Sequence, residues 1–291
     1  MAESIPAEVI ERANRQSRRL RELLHAPEIL VMPGAYDTLS ALLFESLGFP
    51  AVQGSSGGIN ATFGLVDGEV LPRPKFIEVY QRMVAAVQVP VNADGVRGYG
   101  GPDAVAETVR LLIAAGAAGM NLEDSQEHGP GEPMRLLPIP DYLAKVDALL
   151  ETKRALGSEF FLNARVDAYL LDESPARKLD QAIQRGNAYA ERGADCIFYI
   201  GVGDAETIAT LVREVRAPVS ILAGATCPGV RELEELGVAR VSYGVSFARA
   251  SLTPVKALAE VLLAKGDPAP LLKQSFPRAE LLPLLRDRPL I

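Results

Sequence analysis

This chain is poor in the residues that most often announce chemistry. Its 291 residues include two cysteines, two histidines and no tryptophan. Cys196 and Cys227 alone cannot build a disulfide scaffold or a cysteine-rich zinc site. With only His25 and His128, a zinc or iron centre resting on imidazole is disfavoured as well. No uninterrupted apolar run reaches membrane-spanning length, and the N-terminus carries no signal-peptide core. The expectation is a soluble cytoplasmic protein without a membrane partner. Net charge is −7 and the basic residues are dispersed, so a nucleic-acid footprint is lacking too. Arg12, Arg15, Arg18, Arg19 and Arg21 alternate with apolar positions and read as the solvated face of a helix.

What is present is ample core and a repeated punctuation. Hydrophobic residues make up 48% of the chain, enough for a large buried interior. Gly48, Gly116, Gly193 and Gly237 each follow an amphipathic stretch and precede a short apolar run. Glycine fits the left-handed position that closes a helix, so each marks a helix stop before a strand. The candidate strands are Ile29–Pro33, Ala51–Val52, Val89–Ala93, Met120–Leu122, Phe160–Ala164, Cys196–Ile200, Val219–Leu222 and Arg240–Tyr243. Eight strands alternating with helices imply parallel pairing and close most naturally into a (β/α)8 TIM barrel, an α/β fold. The rival is an open doubly wound sheet. Pro33-Gly34-Ala35-Tyr36-Asp37 after the first strand lacks the dinucleotide-binding glycine pattern, which weighs against it. Residues 1–25 read as an added helix, and the tail from Asp267 as irregular chain plus a short helix near Arg278–Leu285. We expect a single domain over 1–291 with its barrel core at about 26–265.

Several strands turn polar at their last residues, and in a parallel barrel those ends form the ligand-binding mouth. Gly54-Ser55-Ser56-Gly57-Gly58 follows the second strand, with Asp67 on the next loop. Asp94 and the Gly98-Tyr99-Gly100 turn follow the third. Glu123 and Asp124 follow the fourth, and Arg165 and Asp167 end the fifth. An oxygen-only set of Asp67, Asp94 and Glu123 suits Mg2+ or Mn2+. The Ser/Gly run can aim N–H groups and hydroxyls at an anion, and Arg165 can grip a carboxylate with two hydrogen bonds. Plainer readings stand beside these. Asp124 and Asp167 are equally suited to capping the helices that follow, and as lesser alternatives Gly54–Gly58 fits a simple turn and Arg165 a structural ion pair.

These blocks resemble the isocitrate lyase/phosphoenolpyruvate mutase superfamily over about residues 15–265. Pro33-Gly34-Ala35-Tyr36-Asp37-Thr38-Leu39-Ser40-Ala41 and Gly64-Leu65-Val66-Asp67 carry part of the likeness. Asn92-Ala93-Asp94-Gly95-Val96-Arg97-Gly98-Tyr99-Gly100 is similar to its D-x-[DE]-x-G-[YF]-G block. Asn121-Leu122-Glu123-Asp124 and Ala164-Arg165-Val166-Asp167-Ala168 are similar to its E-D and A-R-[TV]-[DE]-A blocks. The resemblance implies a Mg2+-dependent barrel that makes or breaks C–C or P–C bonds next to a 2-oxo acid or its enolate. It also implies a homo-oligomer, usually a tetramer, whose C-terminal segment, here 266–291, is exchanged between subunits. By position, Asp94 would ligate the metal directly, with Asp67 and Glu123 holding its waters. Ser55, Ser56, Gly57, Tyr99 and Arg165 would contact a small carboxylate substrate.

The chain departs from the pattern at two places. Val96 stands where the family has a second acid, and Arg97 replaces a small residue. The loop after Asp124 reads Ser125-Gln126-Glu127-His128-Gly129-Pro130 and lacks the K-[KR]-C-G-H signature that supplies the lyases' cysteine. Isocitrate or methylisocitrate cleavage is therefore disfavoured. Glu127 or His128 could serve as general acid/base on this loop, while a simply solvated histidine is the plainer reading of His128. The leading expectation is a metal-dependent lyase, decarboxylase or hydrolase of a small 2-oxo or 2-hydroxy carboxylate or dicarboxylate. A P–C bond enzyme and a non-catalytic 2-oxo acid binding protein are the alternatives.

Overall fold

The apolar runs behind the helix-stop glycines become parallel strands, and the amphipathic stretches between them become helices. The computed structural model describes residues 5–127 and 132–285. Its strands are β1 (Leu30–Met32), β2 (Gly34–Ala35), β3 (Val52–Gly54), β4 (Val91–Asp94), β5 (Gly119–Glu123), β6 (Phe161–Val166), β7 (Cys196–Tyr199), β8 (Val219–Leu222) and β9 (Arg240–Ser242). Their order across the sheet is β1-β9-β8-β7-β6-β5-β4-β3-β2, with every pairing parallel. β1 and β2 are consecutive pieces of one stave, β1 pairing with β9 and β2 with β3. The sheet thus returns on itself as a (β/α)8 barrel.

The first stave differs from the unbroken strand expected over Ile29–Pro33. It breaks at Pro33, which has no N–H to continue a ladder. The Pro33 carbonyl still accepts from the Gln53 N–H at 3.0 Å, so the two halves stay in line. Strands β5 and β6 run further than expected, which brings Glu123 and Arg165 inside the ladder opposite one another.

The helices are α1 (Ala7–Leu24), α2 (Thr38–Ser46), α3 (Ser56–Thr62), α4 (Arg73–Ala86), α5 (Pro102–Ala114), α6 (Ile139–Ala155), α7 (Pro175–Arg192), α8 (Ala205–Glu214), α9 (Val230–Glu235), α10 (Ser246–Lys265), α11 (Ala269–Gln274) and α12 (Arg278–Leu284). Starts and stops follow local chemistry. Asp37 and Ser40 form a capping box on α2, the Ser40 N–H reaching the Asp37 carboxylate at 2.7 Å. Gly193 closes α7 in the left-handed conformation at φ 112°, which a side chain would resist. None of the described helices is long and apolar enough to cross a membrane.

Helix α1 closes the N-terminal end of the barrel. Leu20 and Leu24 pack with the strand starts Leu30, Phe161 and Cys196, and with Ala118 just before β5, in a cluster apart from the main core. Arg21 adds an ion pair to Asp195 at 2.7 Å. Arg15, Arg18 and Arg19 pair with glutamates at the surface, as a solvated face should. The opposite, C-terminal end is left for the site.

Two glycines test how tightly the first stave is held. A Cβ on Gly34 would fall 1.9 Å from the Gly244 carbonyl oxygen, backbone against backbone. Gly34→Ala should therefore lower stability by about 1–3 kcal/mol, read from the urea midpoint. Gly224→Ala, with nothing near the added methyl, should leave the midpoint in place.

Candidate active site

Asp94 ends β4 and meets the start of α3. Its Oδ2 accepts from the Ser56 N–H at 3.1 Å and from the Ser56 hydroxyl at 2.8 Å. The same hydroxyl lies 3.0 Å from Oδ1 of Asp67, which also accepts from the Gly68 N–H. A serine has one proton to give, so it cannot satisfy both carboxylates at once. Asp94 Oδ1 is buried and has no partner. Burial, with Asp67 nearby, pushes the Asp94 carboxyl above its usual range, against the opposing pull of Arg165. Gly57 is what lets Asp67 come so close: a Cβ there would sit 2.9 Å from Asp67 Oδ2.

The neighbouring staves deliver the second half of the site. Parallel register sets Glu123 beside Arg165. The Arg165 guanidinium donates through Nη1 to Glu123 Oε1, and through Nε to Asp167 Oδ1 at 2.7 Å. Burial pulls the Arg165 pKa down, but Asp167, Glu123 and Asp94 more than offset it, so the cation stays charged. Burial raises the Glu123 carboxyl, aided by Asp167 and Asp94 and opposed by Arg165. The Ser125 hydroxyl donates to its other oxygen at 3.3 Å.

Asp124 turns the other way and caps no helix. Its Oδ1 accepts from the Asp167 N–H at 2.9 Å. Its Oδ2 accepts from the Tyr189 hydroxyl at 2.8 Å and from Arg185 at 3.2 Å, both on α7. Arg185 also donates to the Leu137 carbonyl, where the loop after β5 returns. Asp167 likewise gives its side chain to Arg165 instead of to the short helical turn that follows it. Both aspartates thus serve the arginine rather than helix ends.

A cavity of about 150 Å3 opens among these groups. Ser55, Ser56, Gly57, Asp67, Asp94 and Arg165 line it, all of them residues expected from the sequence. Glu123 is not in the lining and acts on it through Arg165. The Tyr99 hydroxyl donates instead to the Leu71 carbonyl at 3.1 Å, with its ring against Phe76. Glu127 lines a separate recess of about 310 Å3 with Glu132 and Arg135, and His128 lies outside the described residues. Val96 is buried at φ 50°, an uncommon conformation for a branched residue, and its carbonyl accepts from the Glu123 N–H. Arg97 pairs with Glu69 at 3.5 Å.

Sequence reasoning passed over the rest of the lining. Gln53 and Asn121 form part of it, and Phe198, Ile200 and Leu222 bring apolar surface. The available signal was an asparagine inside an otherwise apolar run, as in Met120-Asn121-Leu122.

The donor set fits a hard divalent cation. Asp94 offers a buried oxygen with no partner, beside a second carboxylate that competes for the same serine proton. Among the described residues no three His, Cys, Asp or Glu side chains are close enough to share an ion. The acids therefore come as the pair Asp67–Asp94, with Glu123 set apart on Arg165. Mg2+ commonly binds through one or two carboxylates and completes its shell with water and substrate.

Residues 20–263 match the family model described as phosphoenolpyruvate phosphomutase. A 2-methylisocitrate lyase of Bacillus subtilis is 34% identical over 242 residues, covering 80% of this chain and 77% of that protein. A 2-methylisocitrate lyase of Aeropyrum pernix is 30% identical over 278 residues, covering 91% and 86%. The crystal structure of a phosphoenolpyruvate phosphomutase from Streptomyces platensis superposes with a TM-score of 0.83 at 28% identity, covering 92% of this chain and 94% of that one.

The buried layer behind Arg165 can be probed without touching the cavity. Tyr189→Phe removes one donor from Asp124 and should lower unfolding free energy by about 1–3 kcal/mol. Chemical denaturation measures this. A change below about 0.5 kcal/mol, the size of an ordinary surface substitution, would mean that Asp124 does not depend on α7.

Proposed function

Because the chain belongs to the isocitrate lyase/phosphoenolpyruvate mutase superfamily, we propose that it cleaves a C–C bond of a small 2-oxo or 2-hydroxy carboxylate or dicarboxylate through an enolate. The observation that carries this reading is the unpartnered buried oxygen of Asp94, a residue that lines the same cavity as Arg165. Asp94 would hold Mg2+ or Mn2+ directly, with Asp67 acting on its water shell, while Glu123, expected from the sequence to hold metal-bound water, would instead act through Arg165. When bound, the ion supplies positive charge that offsets the negative charge developing on the enolate oxygen.

The chain's own groups bind and orient the substrate. Arg165 has donors beyond those used by Glu123 and Asp167, and these face the substrate carboxylate. In the Ser/Gly turn the Ser56 N–H is engaged by Asp94 and the Gly58 N–H by the Ser55 hydroxyl. The Gly57 N–H remains as the backbone donor for the same carboxylate. Apolar Phe198, Ile200 and Leu222 exclude water from one side of the cavity, which strengthens each charge interaction within it. The general acid/base belongs to the loop that carries Glu127 and His128.

A homo-oligomer, a dimer or tetramer, is part of the reading. Helix α10 has no buried residue in the single chain, and Leu252, Val255 and Leu263 stand exposed along it. A second copy would cover them.

The deciding experiment is metal-dependent release of pyruvate or another oxo acid from a panel of 2-oxo and 2-hydroxy acids. Asp94→Asn should abolish release while leaving the thermal melt of the metal-free protein unchanged or raised. No turnover of any panel member by folded protein at any metal concentration would overturn the reading. Phosphorus NMR on phosphonopyruvate separates C–C from P–C chemistry, an unchanged signal removing the latter. Arg165→Lys keeps the charge and loses the planar fork. It should weaken oxalate binding by about 1.5–3 kcal/mol, the worth of a charged hydrogen bond, as read by calorimetry. A smaller loss would assign Arg165 to structure alone.

A further inference from the structure

Barrel interiors of this kind are usually filled by branched apolar side chains. Beneath this cavity the filling is polar: Gln53, Asn92, Asn121, Asn163 and Arg240 are each at most 2% exposed. Arg240, at the start of β9, donates through Nη2 to Gln53 Oε1. Asn92 Nδ2 reaches the same oxygen at 2.8 Å and Asn121 Oδ1 at 2.9 Å. Asn163 Nδ2 reaches Asn121 Oδ1 at 2.8 Å.

The direction of every bond in this chain follows from Arg240. A guanidinium only donates, so Gln53 must present its oxygen to it. The atom of Asn92 that meets this oxygen must then be nitrogen, and its second hydrogen obliges Asn121 to present oxygen in turn. The amide nitrogens of Gln53 and Asn121 are the ends left over, and both residues line the cavity. Gln53 Nε2 uses one hydrogen on the Gly54 carbonyl and keeps the other. Asn121 Nδ2 has no partner among the described residues.

Arg240 is also a buried cation with no carboxylate against it, and its Nε and Nη1 are unpartnered. Burial brings its pKa down to about 10, which leaves it charged at neutral pH. A buried charge of this kind favours negative charge nearby. We propose that Gln53 and Asn121 are substrate-binding residues, two N–H donors on the cavity floor that hold an anionic oxygen of the substrate. Arg240 is their positioning residue, fixing both amides and making the floor positive. The inference rests on reading the cavity as the substrate site. It specifies that an anionic oxygen, not an alkyl group, points down into the barrel.

Isosteric variants test it by calorimetry with oxalate and with malate in the presence of Mg2+. Gln53→Glu and Asn121→Asp each replace a donor with an anionic acceptor at almost constant shape. Affinity should fall about tenfold or more, as for loss of a charged hydrogen bond, with the thermal melt unchanged. Loss with both ligands places the enolate-type oxygen on the floor, and loss with malate alone places the distal carboxylate there. Arg240→Met should lower the affinity as well, and Arg240→Lys should recover part of it, which a purely structural role would not give. If Arg240→Met fails to fold, the Gln53 and Asn121 variants decide. Unaltered protein that binds oxalate or malate, with Gln53→Glu and Asn121→Asp binding it equally well, overturns the inference alone. Unaltered protein that binds neither ligand overturns the reading of the site and the inference with it.

Discussion

The ion pair between Glu123 and Arg165 is what the mouth of this barrel is arranged around. Both side chains are largely shielded from water, and Asp167 holds the guanidinium from the other side. Removing one member of a buried pair leaves an uncompensated charge, a loss of about 3–5 kcal/mol. The arginine is therefore fixed where its remaining donors face the cavity. Asp167 in turn is held through its N–H by Asp124, and Asp124 by Tyr189 and Arg185 on α7. A run of hydrogen bonds thus links the cavity lining to the outer helix layer, so α7 stabilises the orientation of Arg165 without touching the cavity.

Much of this arrangement can be read from the chain. The helix-stop glycines Gly48, Gly116, Gly193 and Gly237 all take positive φ, and the strands they introduce pair in parallel. Asp94, Glu123 and Arg165 lie at or near strand ends, where the apolar runs turn polar, although β5 and β6 extend beyond the stops that the apolar runs suggest. Register is another matter. That Glu123 meets Arg165 depends on how two strands slide past each other, which no local pattern encodes. The same blindness hid the fate of Asp124, whose sequence position suits a cap but whose side chain turns to α7. It also hid the floor of the cavity. Asn92, Asn121 and Asn163 are visible as polar interruptions of apolar runs, yet which face each presents is settled only by strand tilt and stagger.

The departures from the family pattern find a physical account in the same geometry. Val96 occupies a left-handed position, a strain of about 1–3 kcal/mol for a non-glycine residue. Its carbonyl accepts from the Glu123 N–H at 2.8 Å, so the turn is tied to β5 by backbone and not by a side-chain acid. Arg97 is paired with Glu69 at 3.5 Å and is not part of the cavity lining. The charged residues that line the cavity itself are Asp67, Asp94 and Arg165, with Arg240 buried beneath them.

That arrangement of charge gives the barrel a polarity along its axis. The acid pair sits at the rim, and its one shared serine proton leaves it under-neutralised. The unpaired Arg240 lies beneath the floor, with its charge relayed through fixed amides. An apolar layer of branched side chains in that place would pack at least as well and would carry no desolvation penalty. A polar layer with several unsatisfied atoms is instead a loss of stability at the centre of the fold. Large penalties of this kind persist where activity requires them. The barrel supplies the compensation elsewhere, in the continuous apolar core between strands and helices. On the proposed reading, negative charge forming on a bound oxo acid would meet a cation at Asp94 above and the amide donors of Gln53 and Asn121 below, both oriented before the substrate arrives. Such preorganisation is the most effective means by which a fixed scaffold lowers the barrier to forming an enolate.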